Sequence, residues 1–158
     1  MIELSGNPVD LFIERDRSLN THYTLSPYVV RDGTDYRLLL RLVNCSDHPE
    51  EKVSRIHFGV SRDGQTFLID AKPVLAPNGQ MEDNGGCEDP TIVAYGNRFV
   101  VFYSGYSSTT RASYMLASTG NNLRDLAKNG LAFSDARYAN PKEAAIVATP
   151  AGYRMFFE

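Results

Sequence analysis

The 158-residue sequence is short of several features that would point at once to a function class. It has two cysteines, Cys45 and Cys87, set 42 residues apart. That spacing matches no metal-ligand pattern, and the pair reads as two reduced thiols of a cytoplasmic protein. The three histidines, His22, His48 and His57, form no ligand pattern either, so neither a metal nor an organic cofactor is expected. No run approaches the 18 apolar residues of a membrane span. Met1–Pro8 lacks the basic-then-apolar order of a secretory signal. Basic residues form no block: Lys and Arg number 16 against 19 Asp and Glu, a net charge of −3. Binding to nucleic acid through phosphate neutralisation is therefore not expected. Helical periodicity is nearly absent. Its best stretch, 121–129 with Leu123 and Leu126, ends at Gly130 and reads as a single turn or an irregular loop.

Strand signals are what the sequence has in plenty, at an ordinary globular composition of 42% hydrophobic and 22% charged residues. Pro27–Val30, the turn signal Asp32-Gly33-Thr34 and Tyr36–Val43 form one predicted hairpin. Tyr36, Leu38, Leu40 and Leu42 share one face of the second strand. Arg37, Leu39 and Arg41 share the other, which implies that this face meets something polar. Val53–Ser61, a turn at Arg62–Gln65 and Thr66–Asp70 form a second hairpin. The pattern recurs in Pro90–Tyr95, Gly96-Asn97 and Arg98–Tyr106, followed by Ala112–Ser118 and a turn at Gly120-Asn121. A last copy begins at Glu143–Thr149 and ends in Tyr153–Phe157.

Aligned, Ser26-Pro27-Tyr28-Val29-Val30 lies over Asp89-Pro90-Thr91-Ile92-Val93 and over Glu143-Ala144-Ala145-Ile146-Val147, with offsets of 63 and 54 residues. Short antiparallel strands repeating at that period are the pattern of β-propeller blades, which bury their faces only by stacking on one another. The first strand of a blade lines the central channel. Ser26, Asp89 and Glu143, read as the first residues of those strands, are expected to converge on one mouth of it. The segments 71–86 and 120–141 read as connections between blades.

The segment most loaded with chemistry is Asn84-Gly85-Gly86-Cys87-Glu88-Asp89-Pro90. Two glycines permit an unusual backbone path, and Pro90 is expected to push Asp89 into an extended conformation. A carboxylate held at a channel mouth is a candidate general acid. A plain turn in which Asp89 accepts backbone hydrogen bonds is the alternative. Tyr103 and Tyr106 stand at the end of their strand, either stacking on a sugar or packing in the core. His57, alternating with Ile56 and Phe58, is expected to be structural.

The motif Gly86-Cys87-Glu88-Asp89-Pro90 followed by Thr91–Ala94 resembles the central motif of glycoside hydrolase family 130, which contains β-mannoside phosphorylases and β-mannosidases. The segments Tyr36–Arg41, Ser54–Gly64 and Lys142–Ala145 are similar to that family's segments in the same order, so the resemblance spans about residues 25–158. It implies an all-β, five-bladed propeller of which this chain supplies about two and a half blades: blade 1 over about 25–75, blade 2 over about 88–135 and the start of a third over about 142–158. It implies Asp89 as the general acid, with Ser26, Arg41, Glu88, Lys142 and Glu143 lining the substrate or phosphate pocket. Arg111 is a further sugar or phosphate contact or else a solvated rim residue. Where the family usually has Arg after Asp-Pro, this chain has Thr91.

The expected activity is inverting hydrolysis or phosphorolysis of a β-mannoside or related oligosaccharide, with inorganic phosphate as co-substrate in the second case. An inverting hydrolase needs a base about 6.5–9.5 Å from the acid, a part for which Glu143 is a candidate. Two other readings stay open on the residues: a non-catalytic carbohydrate-binding module, and a related five-bladed glycosidase acting on arabinosides or fructosides. A closed ring needs roughly twice this length. A missing C-terminal half or a second chain is therefore expected to complete it.

Overall fold

The computed structural model describes residues 10–135 and 137–158. The N-terminal stretch 1–8 read above for a signal lies outside the described residues. Strands dominate. They run β1 (Phe12–Glu14), β2 (His22–Asp32), β3 (Asp35–Asn44), β4 (Ser54–Ser61), β5 (Thr66–Ile69), β6 (Gly86–Tyr95), β7 (Arg98–Ser107), β8 (Ala112–Asn122), β9 (Asp125–Leu131), β10 (Ala145–Thr149) and β11 (Gly152–Phe156).

Strands β2 to β5 form one antiparallel meander and β6 to β9 a second, while β10 and β11 make a separate hairpin. The short β1 adds to β5 in parallel. Most tight turns follow the expected signals, but Gly120-Asn121 lies within β8 and the turn falls at Leu123-Arg124. The β2–β3 and β6–β7 hairpins each place positive φ on a glycine at the first loop position, Gly33 at 62° and Gly96 at 57°.

Two elements depart from the sequence reading, which has no strand at β1 and none at β9. The stretch taken as a turn or loop within 121–129 continues β8 to Asn122 and then forms β9, the fourth strand of the second meander. Leu126 and Lys128 point inward along β9 and their neighbours outward. A lysine at an inward position hides the apolar alternation that marks a half-buried strand.

The core lies in two layers. Leu39, Ile56 and Phe58 of the first meander meet Cys87, Ile92, Val101, Tyr103 and Leu116 of the second. On the far face of the first meander, Leu38, Leu40, Leu42, Phe67 and Ile69 are covered by Ile13 and Leu19 from the N-terminal segment. Tyr103 is thus a core residue, fully buried. His57 is buried as well, its Nδ1 3.0 Å from the Asp70 carbonyl, in the structural role expected.

The two meanders touch edge to edge at one point, where Ser54 pairs in parallel with Gly86. This contact accounts for Gly86, and the packing of Tyr106 accounts for Gly85. A Cβ on Gly86 would stand 2.9 Å from Ser54 Cβ, and one on Gly85 would stand 2.6 Å from Tyr106 Cδ1, closer than side chains approach. Arg41 on β3 and Glu88 on β6 flank this contact.

Candidate active site

The site is built from two strand bulges. The β2–β3 register slips between Leu25 and Tyr28, and the β6–β7 register slips between Glu88 and Thr91. Ser26 and Asp89 occupy the slips, at φ 44° and 48°. Glu143, two residues before β10, has φ 50°. The three positions aligned by the repeat therefore share a left-handed backbone that residues other than glycine seldom adopt, at a cost of about 1–3 kcal/mol each.

This corrects two expectations. Ser26 and Asp89 are not the first residues of their strands, which begin at His22 and Gly86, and Glu143 precedes its strand. Nor does Pro90 make Asp89 extended. Proline disfavours the right-handed helical region for the residue before it, and at the bulge Asp89 takes the left-handed region, which a short polar side chain tolerates.

Around these bulges a charged network closes. Ser26 Oγ donates to Asp89 Oδ1 at 2.6 Å, from one meander to the other. Arg41 uses each of its three guanidinium nitrogens on a different partner. Nη1 donates to Asp89 Oδ1 at 3.0 Å, Nη2 to Glu88 Oε1 at 2.7 Å and Nε to Ser54 Oγ at 2.7 Å. Lys142 Nζ reaches Glu88 Oε2 at 3.4 Å from beyond the second meander. The two buried carboxyl groups are thus met by two cations, and each has hydrogen-bonded partners, as burial requires. The polar face predicted for β3 is explained: Arg41 meets Glu88 and Asp89, and Arg37 pairs with Asp32 at 2.6 Å.

Two cavities adjoin the network. One, of about 370 Å³, is lined by Ser26, Tyr28, Asp89, Thr91 and Glu143. The other, of about 420 Å³, is lined by Tyr23, Arg41, Lys52, Glu88, Tyr106 and Lys142. Six of the seven expected site residues thus come together. Arg111 does not: it is an exposed left-handed turn residue between β7 and β8 and lines neither cavity. Sequence reasoning did not assign Ser54, Tyr23 and Lys52 to the site. The signal available for Ser54 was its place at the head of the Ser54–Gly64 motif. Lys52 is held over the Tyr23 ring at 5.5 Å. Thr91 is committed elsewhere: its hydroxyl donates to the Ala144 carbonyl. Among the described residues no group of three or more His, Cys, Asp or Glu side chains is arranged to hold a metal.

Behind β6 lies a second buried network. Asp83 Oδ2 accepts from Lys128, from Tyr103 Oη at 3.1 Å and from Cys87 Sγ at 3.5 Å. Burial, reinforced by the Asp83 charge, pushes the Cys87 thiol and the Tyr103 hydroxyl well above their ordinary ranges. Cys87, next to Glu88, is an inert packing residue.

A family model for glycoside hydrolase family 130, described as beta-1,4-mannooligosaccharide phosphorylase, matches residues 14–149. A 1,2-beta-oligomannan phosphorylase of Thermoanaerobacter sp. (strain X514) is 27% identical over 135 residues, covering 84% of this chain and 45% of its own. A structure reported for family 130 glycoside hydrolases that target β-1,2 mannosidic linkages in Candida mannan superposes with a TM-score of 0.71 at 21% identity, over 98% of this chain and 55% of that one. A β-fructofuranosidase of Bombyx mori, of glycoside hydrolase family 32, superposes with a TM-score of 0.73 at 17% identity, over 87% of this chain and 30% of that one. The chain spans about half the length of the family 130 relatives it matches.

Proposed function

From the premise that the chain belongs to glycoside hydrolase family 130, we propose that it carries the acid side of a site that cleaves β-mannosidic linkages. Asp89 is the general acid, donating a proton to the departing glycosidic oxygen directly or through a sugar hydroxyl. The observation that carries this reading is the union of Asp89 and Glu88 on one guanidinium, Arg41, with Ser26 bonded across the meanders and an open cavity beside them. Such an arrangement fixes a carboxyl group within hydrogen-bond reach of a bound sugar.

Phosphorolysis and hydrolysis differ in the nucleophile. Phosphate needs cations, and Arg41, Lys52 and Lys142 all border the second cavity. Water needs a base, and Glu143, exposed on the same cavity as Asp89, is the carboxylate available for it. The two meanders are the first two of five blades, about 25–75 and 88–135, and the segment 142–158 opens the third. The remaining blades come from a C-terminal half or a second chain. The family match favours mannosides over the fructosides of fold relatives.

The test is incubation of the intact protein with manno-oligosaccharides, with and without phosphate. Mannose 1-phosphate identifies a phosphorylase and free mannose a hydrolase; binding without product leaves only a carbohydrate-binding module. Asp89→Asn is expected to abolish turnover, by at least about 10³-fold, with an unchanged circular dichroism spectrum. Full activity of that variant overturns the assignment.

A further inference from the structure

Both hydrogen bonds that Asp89 accepts end on the same oxygen. Ser26 Oγ and Arg41 Nη1 converge on Oδ1, at 2.6 and 3.0 Å. Oδ2 accepts none from the described residues, yet it is not an enclosed orphan, so it opens on the cavity between the bulges. A carboxyl group carries its proton on the oxygen that is not already a double acceptor, since a protonated Oδ1 would face two donors. From this we infer that Oδ2 is the proton-carrying atom, and that Ser26 is a positioning residue for Asp89 rather than a substrate contact.

The backbone supports the inference. Ser26 reaches Asp89 because β2 and β6 bulge at equivalent places, and both residues sit at positive φ. With one donor, Arg41, the carboxyl plane could still rotate about the Oδ1 contact. A second donor from a different strand removes that freedom and aims Oδ2 at the cavity. Arg41 is itself held by Ser54 and Glu88, so Ser26 is the donor on Asp89 with no other task among the described hydrogen bonds. The inference rests on Asp89 being the general acid.

The backbone also dictates the test. At φ 44° glycine is at ease, and asparagine is among the few other residues that tolerate the conformation. Ser26→Gly therefore removes the hydroxyl without straining the chain, and Ser26→Asn supplies an amide donor in its place. The intact protein is assayed on manno-oligosaccharide for kcat, KM and Tm. For Ser26→Gly, kcat is expected to fall about 10- to 100-fold, with KM within about threefold and Tm nearly unchanged, in line with the cost of misaligning a reacting group. Ser26→Asn is expected to recover kcat to within about fivefold of the parent.

An unchanged kcat in Ser26→Gly overturns the inference. So does a rise in KM alone, which marks a substrate contact, and so does a loss of fold in Ser26→Gly that Ser26→Asn repairs, which marks a structural stitch. Asp89→Asn, run beside them, separates the two claims. If it retains activity the assignment of the acid fails. If it is inactive while Ser26→Gly is normal, only the positioning role fails.

Discussion

His57 stands on β4 with its ring buried and its Nδ1 against the Asp70 carbonyl. Burial pushes its titration below the ordinary histidine range, and the nearby His22 is lowered too, by desolvation and by the charges of Arg55 and Arg15. Both rings are neutral in the fold. The stability they contribute is complete above the unfolded value of about 6.5 and is lost as pH falls through their lower folded values. Thermal melts are therefore expected to show Tm falling as pH drops from about 7 to about 5. His57→Asn, which keeps a donor for the carbonyl but cannot charge, is expected to blunt that fall. Asp63 does not interfere in this window. Backbone amides of Thr66 and Gln65 and the Ser61 hydroxyl hold its carboxyl at about 2, so its contribution is lost only at much lower pH. His57 was legible from alternation alone. His22 was not, because its basic neighbours Arg15 and Arg55 are brought to it by the turn after β1 and by β4.

Strand β9 shows how a polar residue can conceal an element. Its inward positions are Leu126 and Lys128, and Lys128 is there to meet Asp83, 45 residues earlier in the chain. No local pattern announces such a pair, whereas the hairpins announced themselves through Gly33 and Gly96. Asp83 is fully buried, and its Oδ1 has no hydrogen-bond partner among the described residues, so the ion pair is what keeps its charge tolerable. Lys128→Met is expected to cost about 3–5 kcal/mol in denaturant unfolding, because it strands a buried carboxylate. Replacing both partners, Lys128→Met with Asp83→Leu, is expected to restore much of that loss. A double variant as unstable as the single one would show that Asp83 is needed for the hydroxyl of Tyr103 rather than for the lysine.

Across the molecule, the repeat was visible as aligned residues 26, 89 and 143, and the same three positions turn out to share one backbone conformation. The alignment could not show the conformation itself, since Pro27 and Pro90 argue locally for extended chain, and only the slipped registers of β2 and β6 override them. The third copy is joined to the second meander by few bonds. The Thr91 hydroxyl on the Ala144 carbonyl, Asn140 Oδ1 accepting from the Ser113 amide at 3.0 Å, and Lys142 on Glu88 are the principal ones among the described residues. Thr91→Val, which orphans a buried carbonyl, is expected to cost about 1–3 kcal/mol. Its amide hydrogen exchange should quicken in 145–156 while β6 to β9 keep their protection.

The two donors on Asp89 come from β2 and β3, 63 and 48 residues upstream, and the lysine on Glu88 lies 54 residues downstream. The proposed acid is therefore not held in place by any single meander. During refolding, the hairpins can close quickly on local contacts, but these long loops must close before the carboxyl is aimed. Regain of turnover should then lag behind regain of strand signal in circular dichroism. If Asp89 is the acid as proposed, the interval between the two would time the docking of one meander on the other.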